Sequence, residues 1–347
     1  TEYSVRTALA ILEEGSMLIV PVDPEITEAH APNIEGTDKI YSQYGIGLVI
    51  IFLPIAVVGK TLSLLTPLDQ RIIIDFLLSF YNVPFALLGL WFFRVILIRL
   101  GASESRANTT VVLLGVATAF WKYAVTDFSE VTQIAFLLGA LNAILSDNPS
   151  KWRKVSLWCA LLVAMKLVYI VLLPLLAVYA WLEVSGHDTR RRITALLDFA
   201  MTLVPMGLLL ATANHLRFGS PFETGYGSEA TSFAWEFFRR DWFDYLFSTQ
   251  RGILPFNPIL LAAIPGWFAF PRRHRRFAVL CLSLILVWFL VMCFWKSLQG
   301  GLTWGNRLLV PILPLVLLPI AFLQVKIRAT RFGLWGIAGL SILVHVT

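Results

Sequence analysis

Lys166 lies inside an apolar run, Val155 to Trp181, where an ammonium group finds little water. A lysine so placed needs a partner, and an anionic ligand or a buried carboxylate would serve. Tyr169 follows it closely. Asp127 and Glu130 stand between two apolar segments, Arg251 and Arg307 at the margins of two others, and Glu2 in an acid-rich opening stretch. Carboxylates orient or deprotonate a hydroxyl nucleophile, and they hold hard divalent cations through oxygen. Lys binds phosphate as a point charge and Arg as a two-pronged fork. Together at a membrane surface, these groups suit transfer of a group from a phosphate-bearing lipid. The same residues would also suit an ion pathway.

Simpler roles exist for each. Asp127 can cap a helix starting near Phe128. Glu130, in the first turn, complements the helix dipole and reads as structural. Lys166 can snorkel or pair with a buried carboxylate. Arg251 and Arg307 can anchor spans at headgroups. Asp75 and Asn82, two turns apart, read as stitching helices together. The pair Gly45 and Gly47 is not a phosphate loop, because no helix-opening GxGxxG follows. His30 by itself is no metal site. Cys159, Cys281 and Cys293 all fall in apolar segments without a CxxC or HExxH pattern, as structural thiols do.

The elements that must position these residues are membrane helices. Of the 347 residues, 57% are hydrophobic and 14% charged, against about 25% charge in soluble chains. The composition predicts an all-α polytopic membrane protein. The net charge of +6 is carried by short loops between apolar segments, where membrane orientation explains it; nucleic acid is not implied. Spans are predicted at Ile72–Ile98, Ala107–Val125, Phe128–Ser146, Ile193–Ala213, Ile253–Phe270, Phe277–Trp295, Leu308–Leu323 and from Phe332 onward. The basic loops at 99–106, 151–154, 190–192, 272–276 and 326–331 belong on the cytoplasmic side. The tips at 126–128, 214–252 and 297–307 then lie outside.

Two segments resist this scheme. Val155–Trp181 has basic flanks on both sides yet falls short of the ~40 residues that two full spans need. It is expected to be a hairpin of short helices with Lys166 near its tip. Ile46–Leu65 is expected to be a re-entrant or interfacial helix, if residues 1–45 are an external loop; if it spans, that loop is cytoplasmic. The loop contains Glu2, Glu13, Glu14, Asp23, Glu25, Glu28, His30, Glu35 and Asp38, and its start has helical apolar spacing at Val5, Ala8, Leu9 and Leu12. Residues 46–347 form the transmembrane core, including external loop 214–252. Within that loop, Thr231–Phe247 reads as an amphipathic helix with Ala234, Phe238, Trp242 and Tyr245 toward lipid. The chain opens without Met and closes within an apolar segment, and a further membrane helix is expected before Thr1.

Four stretches resemble the GT-C class of membrane glycosyltransferases, such as protein O-mannosyltransferases and the aminoarabinose transferase of lipid A. They are TEYSVRTALAILEEGSMLIV, YSQYGIGLVIIFLPIAVVG, NHLRFGSPFETGYG with QRGILPFNPILLAAIPG, and GGLTWGNRLLVPILPLVLLP. The resemblance implies a GT-C-like helix bundle with external juxtamembrane helices and short helices that do not fully cross. It also implies an inverting transfer of a sugar from a polyprenyl-phosphate lipid to an acceptor on the outer face of a bacterial inner membrane. Glu2 and Asp127 would then be the catalytic acids, with Asp127 a ligand for a divalent metal ion. Lys166, Tyr169, Tyr226, Arg251 and Arg307 would contact the donor. The alternatives are a lipid-linked sugar flippase or transporter, and a non-catalytic partner subunit.

Overall fold

A computed structural model describes residues 2–19, 40–184, 189–226, 232–295, 303–323 and 328–346. Among the described residues the regular elements are helices, with an isolated bridge between Phe233 and Trp295. Four helical stretches are long and apolar enough to cross a membrane: Ile46–Leu65, Gln70–Arg99, Thr189–Phe218 and Arg272–Phe294. Residues 20–39, with Asp23, Glu25, Glu28, His30, Glu35 and Asp38, and the tip residues 297–302, lie outside the described set.

The amphipathic start forms α1 (Glu2–Glu14), with Val5 and Ala8 buried. It packs on α2 (Ile46–Leu65), which has the length of a span where a re-entrant or interfacial helix was expected. The predicted span Ile72–Ile98 is divided into α3 (Gln70–Leu78) and α4 (Asn82–Arg99). Pro84 in the first turn of α4 has no N–H to continue the ladder back across the turn. Asp75 and Asn82 therefore sit on different helices. Next come α5 (Glu104–Val116) and α6 (Phe120–Ala124) where one span was predicted. At that break the Ala119 amide donates to Asn257 Oδ1 at 2.6 Å, and the Thr118 hydroxyl donates to the Leu114 carbonyl at 2.7 Å. Non-helical backbone inside a bundle is tolerated when side chains supply its partners in this way.

α7 (Glu130–Ile144) is the axis of the bundle. Every residue in it except Asn142 is buried, as expected of a helix that is apolar all round. It packs between α4 and α8 (Lys151–Met165). A 3₁₀ segment (Leu167–Leu172) and α9 (Leu173–Glu183) follow α8. The far ends of α8 and α9 meet: Lys151 Nζ pairs with Glu183 Oε2 at 2.8 Å, and the Trp152 and Tyr179 rings lie 6.4 Å apart. The run is thus a hairpin with Lys166 at its tip. The long α10 (Thr189–Phe218) backs it, with the Ser156 hydroxyl accepting from the Thr202 and Leu203 amides.

α11 (Trp235–Phe247) matches the predicted amphipathic segment but turns part of its apolar face onto protein instead of lipid. Phe238 stacks on Phe294 of α14 (Arg275–Phe294) at 5.0 Å, and Tyr245 is fully buried against Phe289. The outward aromatics are Trp235, Trp242, Phe243 and Phe247. The apolar flank of α14 claimed the face assigned to lipid. Between these helices lie α12 (Ile253–Phe256), a 3₁₀ turn and α13 (Ile264–Phe268). The predicted spans Ile253–Phe270 and Leu308–Leu323 are broken, the second into a 3₁₀ segment (Arg307–Ile312), α15 (Leu313–Leu317) and another 3₁₀ segment. Prolines 255, 258 and 265 in the first, and 311, 314 and 319 in the second, remove donors at short intervals. α16 (Arg328–Val346) closes the bundle, its Ser341 hydroxyl accepting from the Ile259 amide at 2.7 Å.

Candidate functional site at the hairpin tip

The loop before α7 is held by one amide. Asn82 Nδ2 donates toward the carbonyls of Tyr123 (3.2 Å), Thr126 (2.7 Å) and Phe128 (2.6 Å), and its Oδ1 accepts from Thr132 Oγ1 at 3.1 Å. Three acceptors share two hydrogens, so the loop is gathered around a single side chain. The Tyr81 hydroxyl also donates to the Phe128 carbonyl at 2.8 Å.

Glu130, the first residue of α7, is 1% exposed, and two cations converge on the same oxygen. Lys166 Nζ donates to Oε1 at 2.9 Å, and Arg307 Nε lies 3.4 Å from it, an ion pair without hydrogen-bond alignment. The Arg307 guanidinium also rests 4.5 Å from the centre of the Phe128 ring. Lys166 and Arg307 keep 26% and 19% of their side chains exposed. An approaching anion therefore meets the cations before the carboxylate. Within this trio one positive charge is in excess. At an effective dielectric of ~20, an anion about 4 Å from each group gains roughly 4 kcal/mol per cation and loses as much to Glu130. The balance favours the anion by about one pair.

Several polar atoms around this cluster are buried and unpartnered among the described residues. They are Glu130 Oε2 and both side-chain heteroatoms of Asn306. The Tyr123 hydroxyl, donating to the Trp304 carbonyl at 2.9 Å, ties the 303–307 loop to the loop before α7.

The predicted site residues divide. Lys166 and Arg307 come together. Tyr169 stays with them but turns inward: its hydroxyl donates to Gln133 Oε1 at 2.6 Å, its ring stacks on Trp288 at 4.3 Å, and it is 1% exposed. It braces the tip instead of facing a ligand. Asp127 is exposed in the pinned loop and does not cap α7, whose N-cap is Ser129. The helix starts later than expected because the Asn82 bonds hold residues 126–128 outside it. Glu130, read as structural, is the anchor of the cluster. Its partner is 36 residues away, a pairing no local pattern announces; a carboxylate buried in an apolar span was the available signal. Arg251 lies by Tyr245, and its buried Nη1 has no hydrogen-bond partner among the described residues. Tyr226 is half-buried in the loop after α10.

Glu2 sits elsewhere. Its carboxylate takes Arg6 Nε at 2.6 Å and is clasped by Arg71, which also pairs with Asp75 at 3.0 Å. Burial raises the Glu2 pKa, and the bonds and charges of Arg71 and Arg6 outweigh it and hold the group below the ordinary carboxylate value. A carboxylate so neutralised is a weak base, and its evident work is clamping α1 to α3. Among the described residues no group of three or more His, Cys, Asp or Glu side chains is arranged for a metal ion. Beside Asp127, the carboxylate of Glu130 already faces two cations, which would repel a third. These residues do not fit a divalent metal.

The chain is thus an all-helical protein with four helices of membrane-crossing length and composition among the described residues. Comparison with protein-family models, curated proteins and solved structures finds no match.

Proposed function

We propose that this protein is an integral membrane glycosyltransferase of GT-C type, moving a sugar from a polyprenyl-phosphate donor to an acceptor hydroxyl at the outer face of the membrane. The observation that carries this reading is the convergence of Lys166 and Arg307 on buried Glu130 at the hairpin tip. That arrangement leaves an anion site with excess positive charge at the end of two short helices.

The acceptor oxygen attacks the anomeric carbon as the bond from that carbon to the phosphate oxygen breaks. Polyprenyl phosphate leaves with the electron pair, and one displacement inverts the anomeric centre. Charge on the phosphate grows through the transition state, so fixed cations beside it stabilise the transition state more than the ground state. Asp127, exposed in the loop before α7, accepts the acceptor's proton. Glu2, held by Arg6 and Arg71 in the clamp between α1 and α3, is assigned no step. No step requires a metal.

The test is sugar transfer by the full protein in nanodiscs with a panel of labelled polyprenyl-phosphate sugars, beside binding of farnesyl monophosphate, farnesol and inorganic phosphate. Turnover lost in Lys166→Ala and Asp127→Ala, with folding kept, supports the transferase. Farnesyl monophosphate outcompeting inorganic phosphate identifies a lipid source for the anion. Donor binding without turnover, indifferent to both substitutions, would replace this reading with a flippase.

A further inference from the structure

Gly45 and Gly47 flank the start of α2. Gly45 has φ −58°, which any residue adopts, so packing and not backbone strain accounts for the missing side chain. A Cβ on Gly45 would come within 2.8 Å of the carbonyl oxygens of both Ala164 and Met165. On Gly47 it would lie 2.6 Å from the Ala164 carbonyl and 2.9 Å from the Met165 nitrogen. Ala164 and Met165 are the last residues of α8, and Lys166 is the next. The start of α2 therefore rests backbone to backbone on the hairpin tip, and neither side can swing aside as a side-chain end would.

The segment leading into these glycines is held from behind. Arg217, 5% exposed near the end of α10, donates from Nη1 to the carbonyls of Ser42 (3.0 Å) and Tyr44 (3.1 Å), and from Nη2 to Asn214 Oδ1 (2.8 Å). A guanidinium buried among carbonyls is a costly strut unless its geometry matters, because the fork fixes several acceptors at once. Tyr41 packs edge-on to Phe218 at 6.2 Å, adding an apolar contact to the same junction.

We infer that Gly47, with Gly45, and Arg217 are positioning residues for Lys166: Arg217 fixes residues 42–44, and the two glycines transmit that position to the backbone that carries the lysine. This rests on reading Lys166 as an anion ligand. A group set loosely by even about 1 Å loses much of its effect.

The experiment compares farnesyl monophosphate affinity and thermal stability of the full protein in nanodiscs across four variants. Gly47→Ala is expected to weaken binding on the order of tenfold, about 1.4 kcal/mol. Gly59→Ala lies on the same helix, where the nearest atoms to a Cβ belong to the Ile74 side chain, the first at 2.4 Å. It is expected to lose stability while keeping wild-type affinity, which separates positioning from general damage to α2. Arg217→Lys keeps the charge but loses the fork, and it carries the test if Gly47→Ala fails to fold; weakened binding is expected. Wild-type affinity in Gly47→Ala and Arg217→Lys, with Lys166→Ala weakened, would overturn the positioning role and leave the anion site standing. Wild-type affinity in Lys166→Ala would remove the anion site and the positioning role together.

Discussion

Glu130 decides how the candidate site behaves, because one buried oxygen holds two cations. Lys166→Ala is expected to cost farnesyl monophosphate at least tenfold in affinity, since bonds to charged groups contribute about 1.5–3 kcal/mol. Glu130→Gln has the opposite sign for binding. It removes the anion that competes with the ligand, so farnesyl monophosphate should bind a few-fold tighter while thermal stability falls by roughly 3 kcal/mol, the usual scale for breaking a buried pair. Weaker binding in that variant would mean that Glu130 orients the cations more than it neutralises them. Asp127→Ala should lower turnover by ~10²–10⁴-fold, the range of a lost general base, with affinity for farnesyl monophosphate intact.

At the level of elements, the two clamps separate. Asn82 gathers the 126–128 loop against α7, so Asn82→Ala should reduce turnover along with stability, as judged by parallel rate and melting measurements. Glu2, Arg71 and Asp75 instead join α1 to α3, and this clamp carries a pH signature. A carboxyl depressed in the folded state contributes stability that is complete above the ordinary value of 4.5 and disappears as pH falls through the lower folded value. Melting temperature should therefore drop as pH is lowered below about 4.5, and Glu2→Gln should flatten that part of the profile without changing turnover at neutral pH. A large neutral-pH loss of turnover in Glu2→Gln would return Glu2 to the reaction centre.

At the scale of the whole molecule, the hairpin's feet meet at Lys151 and Glu183 and its tip carries the candidate site. Single cysteines placed by Lys151→Cys and Glu183→Cys should react from the same side with a membrane-impermeant maleimide, and Asp127→Cys from the opposite side. The native Cys159, Cys281 and Cys293 are buried and should stay silent. Labelling of Lys151→Cys and Glu183→Cys from opposite faces would make the segment a crossing helix and remove the basis for a tip site.

Charge and length by themselves led to the all-helical class, the hairpin and Lys166 at its apex, because basic flanks and a short apolar run are local properties that burial cannot rearrange. The helical start, with Val5 and Ala8 inward, was equally legible. Tertiary structure alone decided the rest. It chose Glu130 over solvent as the partner of Lys166, turned Tyr169 onto Gln133, gave Glu2 to Arg71, and aimed Phe238 and Tyr245 at α14 instead of lipid. Gly45 and Gly47 acquired a purpose only when Ala164 and Met165 came within van der Waals reach. Each of these depends on which apolar faces meet across more than thirty residues of chain, and hydrophobic association, being non-directional, leaves that choice to the packing of the whole bundle.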